Sequence, residues 1–395
     1  MEECAPAPPI KDTGLRNVVI ASTKISNVIG DQGKLIYRGY SIGDLAEFAA
    51  FEEVIHLLLY ESLPSKTALT DFKARLAGER AIPPEVIDAM KTRPASSLPM
   101  DILQGAVPML ANHDPDVEDG SQGAAERMGL RLIAKLPTVL AAWRRIKEGK
   151  PVLDPLDDLD HAANFLYMFF GERPSDEATR FFDACLVMHA EHSFNASTFA
   201  AREVASTLAH IYAAVAGGIG SLSGALHGGA NTRVMKMLKE IGDIGNVESY
   251  VTRQLDSGGK IMGLGHAVYD TDDPRALILA PMSRRMGEKT GETQWYEISR
   301  ELEVKAKAAF KERKGKDIFA NVDFYSASLY YTMGFPLEMF TPLFAISRVA
   351  GWVAHVLEEQ FGGAEAKPTL YRPKSDYVGD YCGPEECSWA PIEKR

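Results

Sequence analysis

From residue 41 to residue 357 the chain is written almost continuously in helical period. Apolar residues recur three and four apart, in segments parted by proline and glycine. A helix buries a stripe and a strand buries every second residue, so this pattern restricts the chain to a mostly α fold. Ser41 is placed to cap a first helix carrying Leu45, Phe48 and Ala49, and a very apolar second helix spans 51–61, ahead of Pro64. Further helices are expected at about 67–76, 84–90, 101–110, 120–147, 159–170 and 176–192, with a buried one at 211–226. The one clear strand signal lies at 23–40. There Ile25, Val28 and Ile29, the turn Gly30-Asp-Gln-Gly33, and Leu35, Ile36 and Tyr37 spell a short β-hairpin.

Past Gly228 the helices become shorter and more charged, at 231–241, 247–257, 275–290 and 295–313. Pro336 and Pro342 then bracket a return to apolar helix at 343–357. This change of texture divides the chain into a large helical domain over 1–227, a smaller domain over 228–334, and a return to the large domain with a C-terminal tail over 335–395. A length of 395 residues suits such a division. The net charge of −11 argues against a nucleic-acid or membrane surface, and anionic ligands would need local arginines. The apolar run 211–226 falls short of the roughly 20 residues that span a bilayer. The first residues lack a basic, apolar signal pattern and read as a disordered lead-in. Cys382 and Cys387 are close enough in sequence to pair, but four cysteines in this length read as a cytoplasmic chain rather than a disulfide framework.

The chemistry concentrates in a few stretches. In Gly263-Leu-Gly265-His266 the glycines let an imidazole approach a ligand closely. Asp273-Pro274 reads as an N-cap followed by proline at the first helical position, which puts Arg275 in a first turn, beside free backbone N–H groups. A histidine and an arginine so placed suit a small carboxylate whose carbonyl needs polarising; a glycine-rich turn with a surface ion pair is the plainer alternative. His227 lies in Gly224-Ala-Leu-His-Gly228-Gly229, with little side-chain cover of its own. Phe181, Cys185, Met188 and His192 fall at helical spacing, so His192 taken alone reads as a core residue. His189 and His192 have no third ligand at a familiar spacing, and no metal is expected. Asp323 is a lone carboxylate in an apolar run, an N-cap or a desolvated general base. Arg348 is the one permanent charge between Thr341 and Glu358, and needs a partner from elsewhere in the fold or from a ligand. Arg372 sits in an irregular tail.

Taken in order, GDQGKLIYRGYSIGDLAE, HAEHSFNASTFAAR, GALHGGAN, GLGHAVYDTDDPRA, NVDFYSA and FTPLFAISRVAGW resemble the citrate synthase family, in the shorter form that includes the 2-methylcitrate synthases. The resemblance covers nearly the whole chain, from about Gly14 to Arg395. It implies a two-domain helical homodimer that closes over oxaloacetate and acyl-CoA, with CoA as substrate and product and no resident cofactor. By this resemblance Asp323 takes a proton from the acetyl-CoA methyl group, His227 donates to the thioester oxygen, and His266 polarises the oxaloacetate carbonyl. His192, Arg275 and Arg348 hold the oxaloacetate carboxylates, joined by Arg372 from the neighbouring subunit. The chain also lacks the additional N-terminal segment of longer, hexameric relatives, so NADH inhibition of their kind is not expected.

Some positions depart from the family pattern. Relatives often carry arginine and lysine where this chain has Ala267 and Asp270, basic residues at Leu277 and Ala280, and glutamate at Thr232. The changes at 267, 270, 277 and 280 thin the positive charge expected beside the CoA phosphates, for which Arg284, Arg285, Lys314 and Lys316 are the candidates. Condensation of acetyl-CoA with oxaloacetate is the leading expectation. Propionyl-CoA is the alternative substrate, since one methylene in an apolar pocket changes discrimination by only about 1–3 kcal/mol. A dicarboxylate binder that has lost CoA use is the alternative of a different class.

Overall fold

The computed structural model describes residues 14–15, 18–266, 268–364, 368–379, 389 and 391–394. Among them, 16 α-helices and one three-stranded antiparallel sheet carry the fold. Cys4, Cys382 and Cys387 lie outside the described residues, and Cys185 is buried and free.

The sheet comprises β1 (Ser26–Ile29), β2 (Lys34–Tyr37) and β3 (Tyr40–Ser41). Ser26 faces Tyr37 across the first pair and Ile36 faces Ser41 across the second. The expected hairpin gains its third strand because Arg38 and Gly39 both take positive φ, 46° and 90°, and reverse the chain within two residues. The large body then follows as α1 (Ile42–Phe48), α2 (Phe51–Tyr60), α3 (Lys66–Gly78), α4 (Pro84–Lys91), α5 (Pro99–Ala111), α6 (Gln122–Lys147) and α7 (His161–Phe170), continuing through α8 (Asp176–His189), α9 (Ala196–Ser206) and α10 (Ile211–Ser223). The remaining helices are α11 (Ala230–Ile241), α12 (Val247–Asp256), α13 (Pro274–Thr290), α14 (Gln294–Lys314), α15 (Val322–Thr332) and α16 (Phe340–Phe361).

Local chemistry starts many of them. The hydroxyls of Ser41, Ser65, Ser121 and Ser175 each accept a first-turn backbone N–H, a cap worth about 1 kcal/mol. Gly171, Gly291 and Gly315 end α7, α13 and α14 in the left-handed conformation. Phe48, counted with the apolar face of α1, is instead 75% exposed.

Two differences from the sequence pattern shape the site. The helix expected at 176–192 stops at His189. Beyond it, hydroxyls from the hairpin take the hydrogen bonds that another helical turn would have made. Glu191 N–H donates to Tyr37 Oη, Tyr37 Oη donates to Glu191 O, and Ser193 N–H donates to Ser26 Oγ. Ser193 adopts φ 52°, so the chain turns and His192 lies in a loop rather than on a stripe. The pattern also missed α9. Its buried face includes Ser197, Thr198 and Arg202, polar residues seated by hydrogen bonds, so no apolar stripe announces it.

Helix α16 runs through the middle of the core, against α2, α6, α8, α9 and α10. Together with the short turn Leu337–Met339 before it, the stretch Leu337–Phe361 is long and apolar enough to cross a membrane, yet it is mostly buried inside the protein. It also carries Arg348, His355, Glu358 and Glu359, all buried. Elsewhere, α13 packs on α15 and α14, α11 on α15, and α12 on α14.

Candidate active site

A cleft of about 640 Å³ opens where these elements meet. It is lined from the large body by Asn27, Val28, His192 to Ala196, Thr341, Phe344 and Arg348, and by the loop Leu226 to Gly229. Gly265, His266, Arg275, Asn321, Val322 and Asp323 also line it, with Leu222, Asn231 and Val268. His192, His227, His266, Arg275, Asp323 and Arg348, far apart in sequence, therefore share one cavity.

The His266 loop is clamped to the start of α15. Gly265 N–H donates to Phe319 O at 2.8 Å, Asn321 N–H to Gly263 O at 2.9 Å, and Asn321 Nδ2 to Gly265 O at 2.9 Å. Gly263 and Gly265 take φ 78° and 88°, which the clamp requires. His266 Nδ1 faces the backbone N–H groups of Val268 and Tyr269, at 3.0 and 3.1 Å. Both are donors, so Nδ1 accepts and the ring proton resides on Nε2. Burial and the Arg275 charge push its pKa down to about 4, and the ring is neutral at physiological pH.

His227 shows the same logic with the nitrogens exchanged. Ser197 N–H donates to its Nε2 at 3.2 Å, with Ser197 Oγ 2.9 Å away, so the proton lies on Nδ1. Burial, then Arg348, lowers its pKa to about 4. The following glycine is obligatory, because a β-carbon on Gly228 would lie 1.9 Å from Leu222 O. His192, half-buried, places Nε2 at 3.3 Å from Tyr269 Oη and its ring 5.4 Å from that of His266. Burial and the Arg275 charge hold it well below the ordinary histidine range.

Two buried arginines supply positive charge. Asp273 caps α13 as expected from Asp-Pro, and its carboxylate also grips Arg275 at Nε (3.0 Å) and Nη2 (2.8 Å). The same carboxylate accepts Val322 N–H at 3.1 Å, tying the N-terminus of α13 to that of α15. Arg348 donates through Nε to His189 O at 2.6 Å and lies over the Phe344 ring at 4.6 Å. Burial lowers its pKa to about 10, opposed by the nearby Glu191 carboxylate, and it stays cationic at neutral pH. The sequence left the partner of Arg348 open; within the fold it finds a carbonyl and an aromatic face.

Asp323 sits in the first turn of α15, and the cap is Asn321, whose side chain accepts Asp323 N–H. Burial raises the Asp323 pKa to about 6, moderated by Arg275. A carboxylate so poised is a stronger base than an ordinary one and still ionised at neutral pH.

The other predicted residues do not line this cavity. Arg284 pairs with Glu288, and Arg285 with Glu177, on an exposed face of α13. Lys314 lies over the Phe310 ring, and Lys316 is exposed after the end of α14. Arg372 is exposed in the tail. The sequence reading passed over Glu191, Ser197, Tyr269 and Asn321 as partners of the site. Their signal was adjacency, since each lies within the same short motifs as His192, His266 and Asp323. Among the described residues, no group of three or more His, Cys, Asp or Glu side chains is arranged to hold a metal ion.

Comparison with known proteins gives this geometry a context. The family model described as "Citrate synthase, C-terminal domain" matches residues 14–374. The chain is 42% identical to citrate synthase 2 of Bacillus subtilis over 383 residues, 97% of this chain and 98% of that one. It is 37% identical over 374 residues to the 2-methylcitrate synthase of Shewanella oneidensis, covering 94% and 96%. Its fold is similar to that of citrate synthase from Thermoplasma acidophilum in ternary complex with carboxymethyl coenzyme A and oxaloacetate. That likeness has a TM-score of 0.87 at 31% identity, over 97% of this chain and 98% of the other. The chain belongs to the citrate synthase family, acyltransferases that use an acyl-CoA and oxaloacetate.

Proposed function

We propose that the cleft condenses acetyl-CoA with oxaloacetate and hydrolyses the resulting thioester to citrate and CoA, with the residues gathered there in distinct roles. The observation that carries this reading is the meeting of a carboxylate with a raised pKa and two neutral imidazoles of opposite tautomer in one cavity. Asp323 removes a proton from the methyl carbon. His227 donates its Nδ1 proton in a hydrogen bond to the thioester oxygen, which stabilises the enol or enolate. His266 offers its Nε2–H to the ketone oxygen of oxaloacetate, so that the new carbon–carbon bond forms at a polarised carbonyl. His192, Arg275 and Arg348 hold the carboxylates of oxaloacetate; the two buried cations offset the field of a chain with net charge −11. Water then cleaves the thioester and CoA leaves.

In this reading, residues 228–334 form a smaller domain that closes on the rest and excludes water, protecting the thioester until both substrates are bound. The active unit is a homodimer in which Arg372 reaches the oxaloacetate site of the partner subunit; its exposure in the tail, away from its own cleft, supports that role. Lys314 and Lys316 are better placed than Arg284 and Arg285 to meet the CoA phosphates, because both arginines are already engaged by glutamates. The enzyme works in the cytoplasm as part of the tricarboxylic acid cycle and needs no cofactor.

A second reading, condensation of propionyl-CoA to 2-methylcitrate, is favoured by the similarity to a relative of that name. Thiol release from acetyl-CoA and from propionyl-CoA, each with and without oxaloacetate, tests both. Oxaloacetate-dependent release with a higher kcat/KM for acetyl-CoA is the expected outcome. A preference for propionyl-CoA would install the second reading, and no release from either would overturn both.

A further inference from the structure

Behind the dicarboxylate site a buried chain of hydrogen bonds leads away from His192 toward the C-terminal tail. Glu191, fully buried, accepts from Ser26 Oγ at 2.9 Å and meets His355 Nε2 at 3.0 Å. His355 Nδ1 lies 2.9 Å from Arg202 Nη1. A guanidinium can only donate, so Nδ1 must accept, and the ring proton is fixed on Nε2, pointing at Glu191. Arg202 also pairs with Glu358 at 2.8 Å through Nη1 and with Glu359 at 2.6 Å through Nη2. Every link to this point is inside the protein.

The tail joins the chain at its outer end. Tyr371 Oη donates to Glu359 Oε2 at 2.8 Å, the oxygen that also pairs with Arg202. Tyr371 N–H donates to Ser206 Oγ at 3.4 Å, and its ring lies 6.0 Å from that of Phe199. Arg372 is the next residue, and it is exposed. An irregular tail left free would have to be ordered each time it delivered that arginine, at a cost in conformational entropy of about 1–2 kcal/mol per residue.

We propose that Tyr371 is a positioning residue: its bond to the Glu359–Arg202 pair fixes the root of the tail and so presents Arg372 to the oxaloacetate site of the second copy. This rests on the reading that Arg372 crosses to the partner. Tyr371 itself touches no substrate. Its hydroxyl can be removed without orphaning a buried charge, because Glu359 keeps Arg202.

The test is a double-mutant cycle on the full-length dimer with Tyr371→Phe, Arg372→Ala and the pair. Tyr371→Phe should raise the oxaloacetate KM roughly tenfold, the scale of one hydrogen bond to a charged group. The kcat, the acyl-CoA KM and the unfolding temperature should stay unchanged. Arg372→Ala should raise the same KM further, and the double variant should be no worse than Arg372→Ala alone. An unchanged KM in Tyr371→Phe beside a raised one in Arg372→Ala overturns this assignment and leaves the crossing arginine intact. Effects that multiply in the double variant overturn it as well, since Tyr371 would then act by another route. A lowered unfolding temperature with loss of kcat would mark Tyr371 as merely structural. A wild-type KM in Arg372→Ala removes the crossing arginine itself.

Discussion

Gly30 lies so close to Val268 that a β-carbon on it would stand 2.0 Å from the Val268 carbonyl oxygen. The turn of the N-terminal sheet is thus docked onto the loop that carries His266, and Asp270 N–H donates to Gly30 O at 3.2 Å to hold it there. Gly30 is required for space rather than for backbone angle. We expect Gly30→Ala to push the loop away and lower kcat at least tenfold, since a small misplacement of catalytic groups is costly. The unfolding temperature should change little, because Val268 and Asp270 are exposed and free to shift. Steady-state kinetics beside thermal unfolding checks this, and a wild-type kcat would show that the contact does not position His266.

Removing the proposed base should separate binding from chemistry. Asp323→Asn should bind oxaloacetate nearly as well as the parent by calorimetry, yet lose about 10²–10⁴-fold in turnover. Retained turnover would exclude Asp323 from the proton transfer.

The pH profile follows from the same group. With a pKa of about 6, Asp323 must be ionised to act, so kcat/KM for acyl-CoA should fall tenfold per unit below pH about 6. His227 and His266 remain neutral until about 4 and do not shape this limb. A limb centred near 4 would mean that Asp323 is not held in a desolvated state.

Stability should carry the opposite signature. The Asp323 pKa is raised from 3.8 to about 6 by folding, so the folded chain binds the proton more tightly than the unfolded one. This contribution therefore declines as pH rises from about 4 to about 6 and stays lost above. Asp323→Asn, which has no charge to bury, should unfold at a higher temperature than the parent at pH 8, with the difference shrinking toward pH 4. Equal unfolding temperatures at both pH values would deny the burial cost.

Asp270 is exposed in the loop after His266, at a position where the resemblance leads us to expect a lysine. Asp270→Lys should lower the acyl-CoA KM with little change for oxaloacetate, and the gain should shrink as salt screens the charge. A flat response, combined with a large rise in acyl-CoA KM on replacing Lys314 or Lys316, would locate the phosphates at the end of α14 instead.

What the sequence by itself determined is what short-range chemistry decides. Serine caps, left-handed glycines and helical period depend on neighbours within a few residues, so the body of α8 before His192 and the Asp273-Pro274 start of α13 were legible directly. Local settings of flanking glycine or lone charge also marked His227, His266, Asp323 and Arg348, and the Asp-Pro helix start marked Arg275, whereas His192 read alone as a core residue and stood out only through the family resemblance. Only the tertiary structure decided how these residues are held. The end of α8 depends on Tyr37 and Ser26, more than 150 residues earlier; α9 carries buried polar residues whose partners lie on α16. The tautomer of His227 is set by Ser197, and that of His266 by the N–H groups of its own folded loop. The raised pKa of Asp323 comes from burial that no spacing records. Period reports which face of a helix is apolar; hydrogen-bond partners across the fold report which polar group is charged, which nitrogen bears the proton, and where the chain must stop being a helix.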